Sequence, residues 1–134
     1  MRYLLDTDMC IYIIKNRPER ALRKLRSKAM EQVAVSTITV AELEYGVVKS
    51  RQPERNKIAL TQFLIPFGMV DFDHEAARDY GRIRADLESR GSPIGPMDML
   101  LAAQATSNDM VLVTNNDREF SRVKELRLEN WVAE

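Results

Sequence analysis

A chain of 134 residues with 45% apolar content suits one compact domain with a real core, expected to span 1–134. Twenty basic and twenty acidic residues cancel to a formal net charge of zero, so bulk charge does not mark a nucleic-acid binder. No apolar run approaches the roughly 18 residues that span a bilayer, no leader pattern opens the chain, and the single cysteine, Cys10, cannot form an internal disulfide; a cytoplasmic protein without a membrane segment is expected.

Residues 2–6 read as a buried strand, with Tyr3-Leu4-Leu5 ending at Asp6. A strand that stops at an acid and turns into a helix puts the carboxylate at the strand's carboxyl end, the edge where open α/β sheets bind ligands. Taken alone, Asp6 is accounted for equally well as a helix cap. The helix that follows, over 8–14, is apolar on most sides, and Cys10 within it reads as a small core residue. Pro18 sits where the next helix can begin, and Ala21, Leu22, Leu25 and Ala29 follow at helical spacing. Lys15, Arg17, Arg20, Arg23, Lys24, Arg26 and Lys28 crowd this stretch against one acid, Glu19. Such a run is a solvated helix face or a basic patch.

Val33-Ala34-Val35-Ser36 is a second strand. Thr39-Val40-Ala41-Glu42 has the pattern of a capping box, in which Glu42 would bond back to the Thr39 amide, opening a helix to about residue 49. Another helix is expected over 53–65, and a third strand over 69–72. Asp73 caps a long helix that turns Ala76, Ala77, Tyr80, Ile83 and Leu87 inward and closes at Gly91. His74 in its first turn is expected to be an ordinary exposed histidine.

Ser92-Pro93-Ile94-Gly95-Pro96 is a rigid loop that delivers Asp98 to the start of a helix over 99–106. That helix is apolar nearly all round and therefore buried. Asp98 there is a simple N-cap or a functional acid. Val111-Leu112-Val113-Thr114 is a strand of the buried parallel type, followed by Asn115-Asn116-Asp117 and Arg118-Glu119-Phe120. A last short strand is expected at Trp131-Val132. Strands alternating with helices predict an α/β fold, a central mostly parallel sheet between two helical layers.

Asp6, Glu42, Asp98 and one of Asp117 or Glu119 thus fall near the carboxyl edge of one sheet. At roughly 5 Å and an effective dielectric near 20, each pair of carboxylates repels by about 3 kcal/mol. Something must neutralise that charge. Carboxylate oxygens without histidine or thiolate suit Mg²⁺ or Mn²⁺, and such ions serve phosphoryl chemistry.

The residues Tyr3-Leu4-Leu5-Asp6-Thr7-Asp8, the stretch Ser36, Thr39, Glu42 and Tyr45-Gly46, the run Pro93-Ile94-Gly95-Pro96-Met97-Asp98 and the run 113–120 together resemble PIN-domain ribonucleases. More narrowly, they resemble the VapC toxins of toxin–antitoxin pairs, over essentially the whole chain. The resemblance implies a three-layer α/β/α PIN-like fold. It also implies a Mg²⁺-dependent endoribonuclease silenced by a VapB antitoxin, with Asp6, Glu42 and Asp98 at the three acidic positions of the metal site. Pro-Ile-Gly-Pro before Asp98 and Thr-Asn-Asn before Asp117 are similar to the branch that cleaves initiator tRNA in its anticodon stem-loop. Asp8 departs from the Asn often found there, and Met97 from an aromatic common in that branch.

In this reading Asp6 and Asp98 hold the metal directly, and Glu42 with Glu119 or Asp117 completes the pocket. Thr7 and Thr114 orient the ligands or only form turns. Basic residues of 15–28, with Arg82 and Arg84, are candidates for phosphate contacts. Implied partners are tRNA and a VapB-type antitoxin, in a homodimer and a toxin–antitoxin hetero-oligomer. The antitoxin is expected to lay an amphipathic helix on an apolar groove formed by helices 8–14 and 53–65, near Phe63 and Leu64, and to send an arginine into the acidic pocket. The alternatives are a haloacid-dehalogenase-like phosphatase using Asp6 and Asp8, and a PIN-like module that only binds.

Overall fold

In this computed structural model, which describes residues 1–133, the chain begins at the centre of its sheet. Strand β1 (Tyr3–Leu5) leads into α1 (Thr7–Ile14) and α2 (Glu19–Arg26). A short 3₁₀ turn precedes β2 (Val33–Ser36), α3 (Thr37–Lys49), α4 (Pro53–Leu64) and β3 (Gly68–Val70). The remainder is α5 (His74–Ser89), α6 (Pro96–Ser107), β4 (Val111–Val113), α7 (Asp117–Phe120) and β5 (Arg127–Glu129). The strand order is β3-β2-β1-β4-β5, and every neighbouring pair is parallel. The expected three-layer α/β/α fold is therefore present.

Side chains alternate across the pleat, as period 2 requires. Tyr3, Leu5, Val33, Val35, Val111 and Val113 face one core, covered by α1 to α4. Leu4, Ala34 and Leu112 face the other, where α5, α6 and Phe120 of α7 pack. Strands buried on both faces must be apolar throughout, which is why β1, β2 and β4 read as unbroken apolar runs.

Chain direction sets the site. The path leaves β1 toward β2 and β3, then crosses back to β4 on the other side of β1. Connections diverge above the carboxyl ends of β1 and β4, and this topological switch point opens a crevice.

Several local expectations are corrected. The last strand is Arg127–Glu129, not Trp131-Val132. It is a sheet edge with charge at alternate positions, the pattern that protects an edge from further pairing. Trp131 folds back instead and is buried edge-to-face on Tyr3, with ring centroids 5.6 Å apart. Its indole N–H donates to Glu129 Oε1 at 2.9 Å. The third strand starts earlier, at Gly68, and ends at Val70. Ala77 is exposed on the outer face of α5, whereas Ala76, Ile83 and Leu87 are buried as expected. Gly91 ends that helix region at φ 65°, a left-handed conformation that favours glycine.

Candidate active site

Asp6 directly follows β1, and its N–H donates to the Val113 carbonyl at 3.0 Å, bridging to β4. One carboxylate oxygen, Oδ1, accepts the Met9 N–H at 2.8 Å and caps α1. The cap and the site can coexist, because the Met9 bond uses only one of the two carboxylate oxygens. Asp6 is only 4% exposed. Its pKa is raised to about 6, first by burial and then by the charges of Asp8 and Glu42, against opposing hydrogen bonds from the Thr114 hydroxyl and the Met9 amide.

Glu42 is not part of a capping box. Ser36 is the N-cap of α3, its hydroxyl accepting the Ile38 N–H at 2.9 Å, so Thr39 already lies inside the helix. Thr39 is fully buried. Thr7 at the start of α1 donates to Glu42 Oε1 at 2.5 Å and lies 3.2 Å from Thr39 Oγ1. Thr7 thus orients Glu42. Thr114 lowers the Asp6 pKa from beside it and accepts the Asn116 N–H at 2.8 Å, so it serves the turn as well.

Asp98 is not an N-cap either. Helix α6 begins at Pro96 with Gly95 as its cap residue, and Asp98 stands in the first turn. Its carboxyl lies close to that of Glu119, both against Gly95. Burial, then the charge and hydrogen bond of Glu119, then Asp6 and Glu42, raise its pKa to about 7. Glu119 is itself pinned: Oε1 accepts the Gly95 N–H at 2.8 Å, and Oε2 accepts from the Asn116 amide. A methyl on Gly95 would stand 3.4 Å from Asp98 Oδ2 and 3.8 Å from Glu119 Oε1, so the backbone lies directly against both acids.

Asp117 and Glu119 point apart, because residues two apart on a helix diverge by about 200°. Asp117 is exposed and accepts from Asn130 Nδ2 at 3.2 Å, away from the other acids. The structure thus brings together Asp6, Glu42, Asp98 and Glu119 and leaves Asp117 outside. Gly95 and Asn116 escaped the sequence reading as partners of Glu119; the signal for Asn116 was its position three residues before that acid.

The donor chemistry fits a hard divalent cation. As the side chains stand, no three of the described Asp, Glu, His or Cys residues converge on one point; Asp98 leans on Glu119 and Glu42 on Thr7. Yet two of these acids carry raised pKa values caused by burial and by other carboxylates, with no cationic side chain among the causes. A cation or a proton must answer that charge. Cys10 offers no thiolate, since complete burial and then Asp6 push its thiol well up.

These shifts predict a pH-dependent stability. Folded Asp6 and Asp98 hold protons more tightly than their unfolded counterparts. Their ionisation therefore costs stability as pH rises through about 6 and about 7. Between pH 8 and pH 5.5 the protein in EDTA should gain about 1–2 kcal/mol, with half-exposed Asp98 discounted for solvent screening. Its melting temperature should rise by about 5 °C. Asp6→Asn should raise the melting temperature at pH 8 and flatten the profile, while millimolar Mg²⁺ should stabilise wild type more than the variant. A wild-type melting temperature in EDTA that rises from pH 5.5 to 8 would contradict this.

The basic residues divide. Lys15 lines a groove of about 460 Å³ that opens beside Thr7 and Glu42, between α1, α3 and α4. Lys28 lies over the Tyr3 and Trp131 rings, at 4.9 and 5.9 Å, beside the start of β1 and so at the opposite end from the site. Arg82 is paired with Glu125 and Asp79, and Arg84 with Glu88 and Tyr80, in half-exposed contacts on α5. The groove is walled by Ile11, Ile14, Leu43, Val47 and Leu60. Phe63 and Leu64 do not line it and are partly buried against the core, with Phe63 on Phe67 at 5.0 Å.

A parallel three-layer domain with carboxylates gathered at its switch point defines a class of acidic-pocket α/β/α proteins. The PIN domain model matches residues 3–126, and the chain belongs to that family, in its VapC branch. It is 41% identical over 131 residues to the tRNA(fMet)-specific endonuclease VapC of Salmonella typhimurium, covering 98% of each. It is 45% identical over 132 residues to ribonuclease VapC2 of Haemophilus influenzae, covering 98% of this chain and 99% of the relative. Its fold superposes on DNA-bound VapBC from Salmonella typhimurium with a TM-score of 0.93 at 40% identity, over 98% of each chain. VapBC2 from Rickettsia felis, bound to a promoter DNA fragment, gives 0.92 at 40% identity, over 98% of this chain and 99% of that one. The dehalogenase-like alternative falls with this membership, and Asp8 is exposed rather than paired with Asp6 in a pocket.

Proposed function

We propose that this chain is a divalent-metal-dependent endoribonuclease toxin of the cytoplasm. It forms one domain over 1–134, takes Mg²⁺ or alternatively Mn²⁺, and cuts initiator tRNA in the anticodon stem-loop. What supports this is the gathering of four carboxylates at the switch point of a VapC-branch chain. A bound divalent cation lowers the pKa of an attacking water and stabilises the leaving oxygen. Asp6 and Asp98 would hold that cation. Glu119, steadied by Gly95 and Asn116, fixes the position of the Asp98 carboxyl. Glu42, steered by Thr7, lines the wall toward the groove and orients water. Lys15 at the groove is the best-placed phosphate contact of the basic stretch. The product carries a 5′-phosphate.

A VapB-type antitoxin silences the enzyme within a hetero-oligomer built on a homodimer of this chain. Its amphipathic helix occupies the groove between α1, α3 and α4, whose apolar walls end at Glu42. An arginine following that helix pairs with the acids in place of the cation.

The test is incubation of the pure protein with initiator tRNA and Mg²⁺, followed by mapping of new 5′ ends. One dominant cut in the anticodon stem-loop, lost in EDTA, is expected. Intact RNA, or phosphate release from a small phosphomonoester instead, would overturn the proposal.

A further inference from the structure

Gln104 has no part in the acidic pocket, yet it is a fully buried polar side chain on the helix that carries Asp98. Both ends of its amide are used. Its Nε2 donates to the carbonyl of Val70, the last residue of β3, at 3.2 Å. Its Oε1 accepts from the hydroxyl of Ser36, the last residue of β2. The same Ser36 oxygen accepts the Ile38 N–H and caps α3, the helix of Glu42. One amide therefore joins α6 to the ends of two strands and to the head of α3. An apolar side chain of equal volume would fill the space without setting the helices' relative position, because dispersion contacts have little directionality and hydrogen bonds have much.

We infer that Gln104 is a positioning residue for the acidic pocket. Through Ser36 it holds α6 against the head of α3 and so sets the placement of Asp98 relative to Glu42. This inference rests on the nuclease reading above. A displacement of about 1 Å in such a constellation can cost about a hundredfold in rate. The RNA-binding surface does not include the tie, so substrate affinity should be spared.

The experiment compares wild type, Gln104→Met, Ser36→Ala and the double variant, each checked for folding by circular dichroism below its melting temperature. Mn²⁺ affinity is read by calorimetry, and kcat and KM on initiator tRNA by single-site cleavage. Gln104→Met should weaken Mn²⁺ binding several-fold and lower kcat by about tenfold, with KM unchanged. The double variant should be no worse than the more impaired single variant, because both break one tie. A lowered melting temperature with Mn²⁺ affinity and kcat unchanged would make Gln104 a merely structural residue and overturn the inference. Fully additive losses would also overturn it. Should Gln104→Met fail to fold, Ser36→Ala decides by the same two readouts. If wild type neither binds Mn²⁺ nor cleaves RNA, the nuclease reading fails and this inference falls with it.

Discussion

Asp6→Asn and Asp98→Asn should each lower RNA cleavage by about a thousandfold or more while leaving the fold intact. Both changes keep the shape and remove one charge. An amide oxygen at position 6 can still accept the Met9 N–H that caps α1, and the Asp6 backbone bond to Val113 is untouched. An amide at position 98 keeps the size of the carboxyl and can donate to the neighbouring Glu119 carboxylate. What neither amide supplies is an anionic oxygen for a divalent cation. Circular dichroism and a melting curve establish folding, and cleavage of initiator tRNA in Mg²⁺ measures the loss. Cleavage within tenfold of wild type in either variant, with contaminating nuclease excluded, would remove these two acids from the reaction.

Glu119→Gln and Asp117→Asn should separate cleanly, although they lie two residues apart. Glu119 touches Asp98, the Gly95 amide and the Asn116 side chain. Its replacement should slow cleavage by about ten- to a hundredfold, as expected for a group that orients a ligand without being its main holder. Asp117 faces Asn130 at the surface, so its replacement should change the rate by less than about threefold. Measured rates in the reverse order would mean that α7 turns its other side to the pocket when RNA is bound.

Pattern alone settled the strand-and-helix alternation, because buried parallel strands must be apolar throughout and their crossover helices must follow. Tyr3-Leu4-Leu5, Val33-Ala34-Val35 and Val111-Leu112-Val113 each carry that signal locally. The acids at 6, 42 and 98 were also legible, since each stands near a strand end or a helix start. Short-range rules misread two of them. Thr39 and Glu42 have the spacing of a capping box, but Ser36 claims the cap three residues earlier through its bond to the Ile38 amide. Asp98 has the look of a cap, but Gly95 holds that place. A cap is decided by where the chain leaves the sheet, and that depends on strand register. The edge strand Arg127–Glu129 was hidden for a related reason: its charged residues suit an edge, and nothing local says that an edge is there.

Sequence by itself determined the alternation of strands and helices, the apolar cores and the acids at the end of β1 and the start of α6. Only the tertiary structure put Glu119 against Gly95 and Asp117 beside Asn130, paired Arg82 and Arg84 with acids at the surface, and joined Gln104 to Ser36. The partners of Asp117 and Gln104, and Glu125 beside Arg82, lie 13 to 68 residues away, whereas Arg84 pairs four residues along its own helix. Hydrophobic periodicity specifies which face is buried, but a hydrogen bond or an ion pair needs a particular atom within about 3 Å, and no local pattern encodes that distance.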